Sequence, residues 1–256
     1  MRAIRYRSIK VMVILLSLGL FALVLPAQAS RPEIIDPVAP HFLAVQAELS
    51  DLGFYRGDLD GTNNSALKAA VLAFHKATGA ERTNVWERLD WLRADLYVQA
   101  QPSHFEDQMD IDLTNQVAYV MSAGDVQAVL GISSGNEGTY RSSSGGVARA
   151  TTPRGEFTFE RHIDGWRRAR LGALYDPWYF KGGFAVHGSN SVPGYPASHG
   201  CVRVTTWDAD WLSDVLTLGM QVSVFDGEAI VDILLSLDDS DFPARLSGAT
   251  GHREIS

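Results

Sequence analysis

The chain has a single cysteine in 256 residues, so no internal disulfide can staple it. It has fewer basic than acidic side chains, 22 Lys and Arg against 30 Asp and Glu, for a formal charge of −8. That balance argues against nucleic acid as a partner, since a phosphate backbone needs a basic face. Beyond residue 25 no run is apolar enough to cross a bilayer, which takes about 20 such residues. No internal repeat is visible. The lone cysteine, Cys201, raises its own question. Exported proteins usually pair their cysteines or lack them. A free cysteine otherwise behaves as a small hydrophobe, unless its neighbours give it chemistry.

What is present at the N-terminus reads as an export leader. Arg2, Arg5, Arg7 and Lys10 precede an apolar run from Val11 to Leu25, and Ala27 to Ala29 offer a small-x-small cleavage site after Pro26. Residues 1–29 are therefore expected to be a signal peptide. No cysteine lies near the cleavage site, which excludes lipid attachment there. The expected location is exported, in the periplasm or cell wall, with no membrane contact apart from the leader itself if it stays uncleaved. What remains is long enough for one large or two smaller domains.

Residues 30–40 hold three prolines and read as a spacer. In 41–80, Phe42, Val45, Leu49 and Leu52 recur at helical spacing up to Gly53. A turn-rich "YRGDLDGTNN" follows, and then a second helix with Ser65 as N-cap, Leu67, Val71 and Phe74 as apolar face, and Gly79 as stop. Residues 81–104 read as a helical linker with Val85, Leu89, Leu92 and Leu96 on one face. From 105 to 226 the pattern turns to strands. "MDIDLTNQVAYVMSAGDVQAVLGISSG" gives two β-rich runs around an Ala-Gly-Asp turn. "NEGTYRSSSGGVARA" reads as an exposed loop. Tyr175, Trp178, Tyr179 and Phe180 read as core and strand, and "TWDADWLSDVLTLG" as a helix capped by Thr205 and Asp208 and stopped by Gly219. Residues 227–256 are a tail. The fold class expected is a mostly β domain with one main helix, plus a small helical N-terminal domain.

Two His-Gly pairs flank the loop that ends at the cysteine, in "HGSNSVPGYPASHGCVR", residues 187–203. A thiol becomes a nucleophile when an imidazole takes its proton and backbone N–H groups hold the oxyanion that forms. His199 is tethered two residues from Cys201, an awkward distance for base work. His187 ends a strand and can be brought back across a turn-rich loop, so it is the better candidate base. Gly200 permits unusual dihedrals, and the N–H groups of Gly200 and Cys201 are candidate oxyanion donors. Arg203 could meet a carboxylate bidentately. His187, His199 and Cys201 with a water could instead ligate zinc, but their spacing matches no specific zinc pattern. At this level the chemistry is acyl transfer, with no metal and no cofactor expected.

The set His187-Gly188, Ser198-His199-Gly200-Cys201-Val202-Arg203, with Thr152-Pro153-x-Gly155-x-Phe157 upstream, resembles the catalytic domain of L,D-transpeptidases over about residues 108–225. Residues 41–79 resemble a peptidoglycan-binding module at Val45-Gln46, Leu49, Leu52-Gly53-Phe54-Tyr55, Gly57, Asp60-Gly61, Ala70-Val71 and Phe74, with departures at Asn64, Leu67 and His75. The resemblance implies a β-rich fold with a groove, Cys201 as nucleophile and His187 as base, oriented through the carbonyl of Gly188. It also implies that His199 and Arg203 shape the groove and bind substrate, with Ser198, a local hydrogen-bonding residue, beside Arg203 in the substrate-binding set. The activity implied is cross-linking of third-position residues of peptidoglycan stem peptides, with carbapenems as pseudo-substrates. The partners implied are the stem peptides and the glycan. Two rival readings stay open here: the same site used with water, as an L,D-carboxypeptidase or wall hydrolase, and a non-catalytic wall-binding protein.

Overall fold

The stretch Val117–Met121 is apolar at every position, which a strand needs only when both its faces are covered. The computed structural model describes residues 39–97, 107–142 and 145–227, and it shows that arrangement. The expected leader, most of the spacer, residues 98–104 of the linker and the tail beyond 227 lie outside the described residues.

Three helices come first: α1, Ala39–Asp51; α2, Ser65–Ala77; and α3, Arg88–Leu96. A run of strands follows: β1, Gln108–Asp112; β2, Val117–Ser122; β3, Asp125–Gly131; β4, Thr139–Arg141; β5, Val147–Arg149; and β6, Gly155–Thr158. Then come β7, Arg161–His162; β8, Trp166–Ala169; β9, Gly172–Lys181; β10, Phe184–Gly188; β11, Val202–Val204; helix α4, Thr206–Val215; and β12, Gln221–Phe225. One sheet has the order β3-β2-β1-β12-β6, and a second the order β11-β10-β9-β7, with β8 also on β9. The parallel pairs are β1 with β12 and β10 with β11.

The pleat of β2 divides two cores. Ala118 and Val120 face the second sheet and α4, together with Met109, Ile111, Leu130, Phe180, Val186, Val202, Val204 and Leu212. Val117, Tyr119 and Met121 face the other way, onto Val45, Leu49, Phe54, Leu67, Val71 and Phe74 of the helices. The helices are thus a layer on the outer face of the first sheet, and the described residues all fall in one compact unit. The mostly β domain with one helix and the small helical region are both present, as expected. The joint between them is packed, because the sheet's outer face is as apolar as its inner one.

Several local expectations are corrected. The N-cap of α2 is Asn64, whose side chain accepts from Leu67 N–H at 2.8 Å, so Ser65 is the first helical residue. Helix α1 starts at Ala39, inside the expected spacer, since proline suits a first turn. The expected linker helix is shorter, and Val85 is exposed outside it. Its buried side chains are Asp90 and Ala94, Asp90 being held by His75 Nε2 at 3.0 Å and Arg93 at 2.9 Å. The two expected runs at 108–131 are three strands. The first break comes where Gln116 takes φ +59, and the second is an Ala123-Gly124 turn with both φ positive, as a two-residue hairpin requires. The expected loop at 136–150 carries the hairpin of β4 and β5. Helix α4 is capped by Thr205, which accepts from Asp208 N–H, but it ends at Val215 rather than at Gly219.

Candidate active site

Strands β10 and β11 run parallel in the register Val186↔Val202, His187↔Arg203 and Gly188↔Val204. Alternation along a strand then sorts the side chains. Val186, Val202 and Val204 point into the core. His187 and Arg203 point the other way, as does Cys201, two residues before Arg203. These three line one cavity of about 600 Å³ with Ser198 and His199. The loop between the strands, residues 189–201, starts beside His187 and returns to deliver Cys201.

The imidazole is buried and its Nδ1 donates to Gly188 O at 2.8 Å. That bond places the ring proton on Nδ1 and leaves Nε2 as the basic nitrogen. Burial pushes the His187 pKa down to about 4, the Gly188 carbonyl opposing and the nearby Arg203 charge assisting. The Cys201 sulfur lies 3.7 Å from Gly183 O, toward which the thiol donates. Burial pushes the thiol up from its ordinary value, against the Ala185 N–H and the Arg203 charge, which favour thiolate. At rest both partners are therefore neutral.

The turn before the nucleophile is fixed by two hydroxyls. Ser198 Oγ accepts from Gly200 N–H at 2.9 Å and donates to Cys201 O at 2.5 Å. Thr152 Oγ1 accepts from Gly135 N–H and donates to Gly200 O, each at 2.9 Å. Gly200 takes φ +130, and a Cβ there would lie 2.6 Å from Phe184 Cε1 and 3.0 Å from Thr151 O, so only glycine fits. These bonds correct two expectations. The Gly200 N–H is engaged within the turn and is not an oxyanion donor, which leaves the Cys201 N–H from the expected pair. The Ser198 hydroxyl is likewise engaged by backbone groups, so its part is to shape the turn rather than to bind substrate.

His199 is exposed at the cavity edge, its ring packed edge-on to Tyr140 at 5.0 Å. Among the described residues no carboxylate pairs with the Arg203 guanidinium, and no three His, Cys, Asp or Glu side chains lie together as a metal site.

Known proteins resemble this chain. Residues 106–224 match the YkuD family, the L,D-transpeptidase catalytic domain. A crystal structure of the L,D-transpeptidase from Xylanimonas cellulosilytica, residues 123–326, is 39% identical with a TM-score of 0.69, covering 73% of this chain and 93% of that one. This chain is an L,D-transpeptidase by family. An L,D-transpeptidase from Stackebrandtia nassauensis is 20% identical over 75% of this chain and 93% of that one, TM-score 0.46. One from Mycobacterium smegmatis is 21% identical over 47% and 58%, TM-score 0.39. No curated protein matches.

Sequence reasoning missed much of the wall of this L,D-transpeptidase's cavity. Tyr140 comes from β4, Trp166 from β8, and Leu171 and Leu174 from the turn into β9 and from β9 itself. Trp166 and Leu171 are exposed apolar side chains at the cavity. An isolated tryptophan in "DGWRRARLG" was the available cue, since an exposed indole beside a hairpin turn has no core to serve. The backbone groups around sulfur, Gly183 O and Ala185 N–H, carry no side-chain signature at all.

Proposed function

We propose that this L,D-transpeptidase is an exported cell-wall enzyme that cross-links peptidoglycan stem peptides through a Cys201 thioester. The observation that carries the reading is the shared face of His187, Cys201 and Arg203 on paired parallel strands, opening into one cavity. In the first step Cys201 Sγ attacks the carbonyl of the bond before the terminal D-residue of a donor stem. His187 Nε2 takes the thiol proton as the S–C bond forms, and gives it to the departing amine as the C–N bond breaks. The Cys201 N–H is the proposed donor to the oxyanion. In the second step the side-chain amine of a neighbouring stem attacks the thioester. The S–C bond breaks, and the thiol regains its proton through the same imidazole.

Arg203 is the proposed carboxylate contact, because its guanidinium lines the cavity without an acidic partner and a stem peptide ends in a carboxylate. His199, exposed at the edge on Tyr140, shapes that wall. Residues 41–80 are proposed to engage the wall, on the resemblance alone. The test is mass spectrometry of products from purified tetrapeptide muropeptides. A dimer linked through third-position residues is expected, with loss of both dimer and D-alanine release in Cys201→Ala. Release of D-alanine without dimer would replace transfer by hydrolysis.

A further inference from the structure

We infer that the helical layer positions the nucleophile loop, with Lys76 of α2 and Arg82 just beyond it as the positioning residues. The loop from 189 to 201 carries no regular structure between the base and the nucleophile. Three consecutive carbonyls in it each accept a side-chain hydrogen bond. Lys76 Nζ donates to Pro193 O at 3.2 Å, Arg82 Nη1 to Gly194 O at 2.7 Å, and Ser133 Oγ to Tyr195 O at 2.8 Å. Two of the three donors belong to the helical layer.

The same two cations also hold the sheet that the loop rests on. Lys76 Nζ donates to Ile132 O at 2.8 Å, and Arg82 Nη2 to Thr114 O at 3.1 Å. Ile132 leads directly into Ser133, which exchanges both backbone hydrogen bonds with Arg203 at 3.0 Å. Ser134 O then accepts from Ala197 and Ser198 N–H at 3.0 and 2.9 Å. Lys76 therefore ties the loop to the segment against which the strand of Cys201 is registered, and Arg82 ties it to the turn between β1 and β2. At Gly194 a Cβ would lie 3.1 Å from Arg82 Cβ, so the loop sits flush on its clamp.

Lys76 is an unusual place to find an ammonium. It is 1% exposed, and among the described residues it meets no carboxylate. Burial, aided by the charge of Arg82, pulls its pKa down to about 7. A methionine would fill that channel without a desolvation cost. What the amine adds is two directed hydrogen bonds to two chain segments, which is the requirement for holding a loop rather than for filling a core.

The test compares Lys76→Met, Arg82→Met and Arg82→Lys in the full chain. Two quantities are read: kcat and KM with a soluble disaccharide tetrapeptide, and amide hydrogen exchange at Ala197 and Ser198. Only the kinetic reading rests on the proposed function; exchange reports on the clamp even if the wild-type chain transfers nothing. A displacement of about 1 Å at a reacting atom costs roughly 100-fold. The Met variants are expected to lose roughly 10- to 100-fold in kcat with KM within a factor of about two. Exchange at the two amides should rise at least about tenfold while β1 and β2 stay protected, and Arg82→Lys should recover part of the loss. A merely structural role would lower thermal stability and leave both readings per folded molecule unchanged. Arg82 is exposed, so Arg82→Met decides alone should Lys76→Met not fold. A folded Arg82→Met with wild-type exchange at Ala197 and Ser198 overturns the inference.

Discussion

Replacing His187 by Gln separates a resting ion pair from a neutral pair that moves its proton during attack. The imidazole is pushed down to about 4 and the thiol above its ordinary range, both by burial, so proton transfer at rest is opposed from both sides. The proton must then leave sulfur while the S–C bond forms, with Nε2 as general base. A positioned base contributes about 10²–10⁴-fold, or roughly 3–5 kcal/mol.

Two rates measured from pH 3 to 10 test this. Iodoacetamide alkylation of Cys201 reports thiolate and should rise in a single limb, more alkaline than that of an ordinary thiol, in wild type and His187→Gln alike. Acylation by a carbapenem reports the assisted attack. In wild type it should rise through about pH 4, as Nε2 loses its proton, and stay level through neutral pH. In His187→Gln the limb at about 4 should vanish and the rate at pH 7 fall by about 10²–10⁴-fold. An alkylation plateau between pH 5 and 8 that disappears in the variant would refute the reasoning, because it would mean a thiolate–imidazolium pair at rest.

Three further outcomes are expected. A carbapenem should raise the intact mass of the protein by one drug equivalent, and Cys201→Ala should show no adduct; an adduct that persists places the reaction elsewhere. Phe74→Ala, fully buried under the first sheet, should cost about 3–5 kcal/mol and shift a single urea transition followed by both tryptophan fluorescence and far-UV dichroism, since helices and sheet share that core; two separate transitions would contradict the shared layer. His187 binds its proton later in the folded than in the unfolded chain, so stability must fall as pH drops from about 6.5 to about 4, by roughly 3 kcal/mol, and His187→Gln should lack that component in urea titrations at the two ends of the window.

The strand that presents Cys201 and Arg203 beside His187 was legible because its signals are chemical and local. Cys201, His187 and Arg203 are residue types with few uses, and a strand reading of each segment places them on one face. Gly200 announced a backbone need, and φ +130 is that need. What stayed hidden depends on contacts distant in sequence. One exception is local: the Gly200 N–H turns to Ser198, two residues away, rather than to a substrate. Nothing local separates Val85, exposed, from Trp86, buried, because the sheet beneath decides which side of 81–97 is covered. The helical pattern in 41–79 was readable down to Gln46, whose side chain holds the Asp60-Gly61 turn through Gly61 N–H and Asp60 at 2.8 Å each. The partner of that layer was written in β2, where an unbroken apolar run signalled two covered faces.

The lone cysteine now has a physical account. An enzyme exported as proposed meets oxidants, and oxidation follows thiolate character and access. A catalytic cysteine with a depressed pKa would be exposed to that hazard continuously. Here burial raises the thiol and Gly183 O receives its proton, so the resting sulfur is held as the form that oxidises slowly. In the proposed mechanism, reactivity is supplied when a carbonyl arrives beside a neutral imidazole, which burial has kept unprotonated down to about pH 4. The same desolvation thus acts on both groups in the useful direction, withholding charge from each until attack creates it.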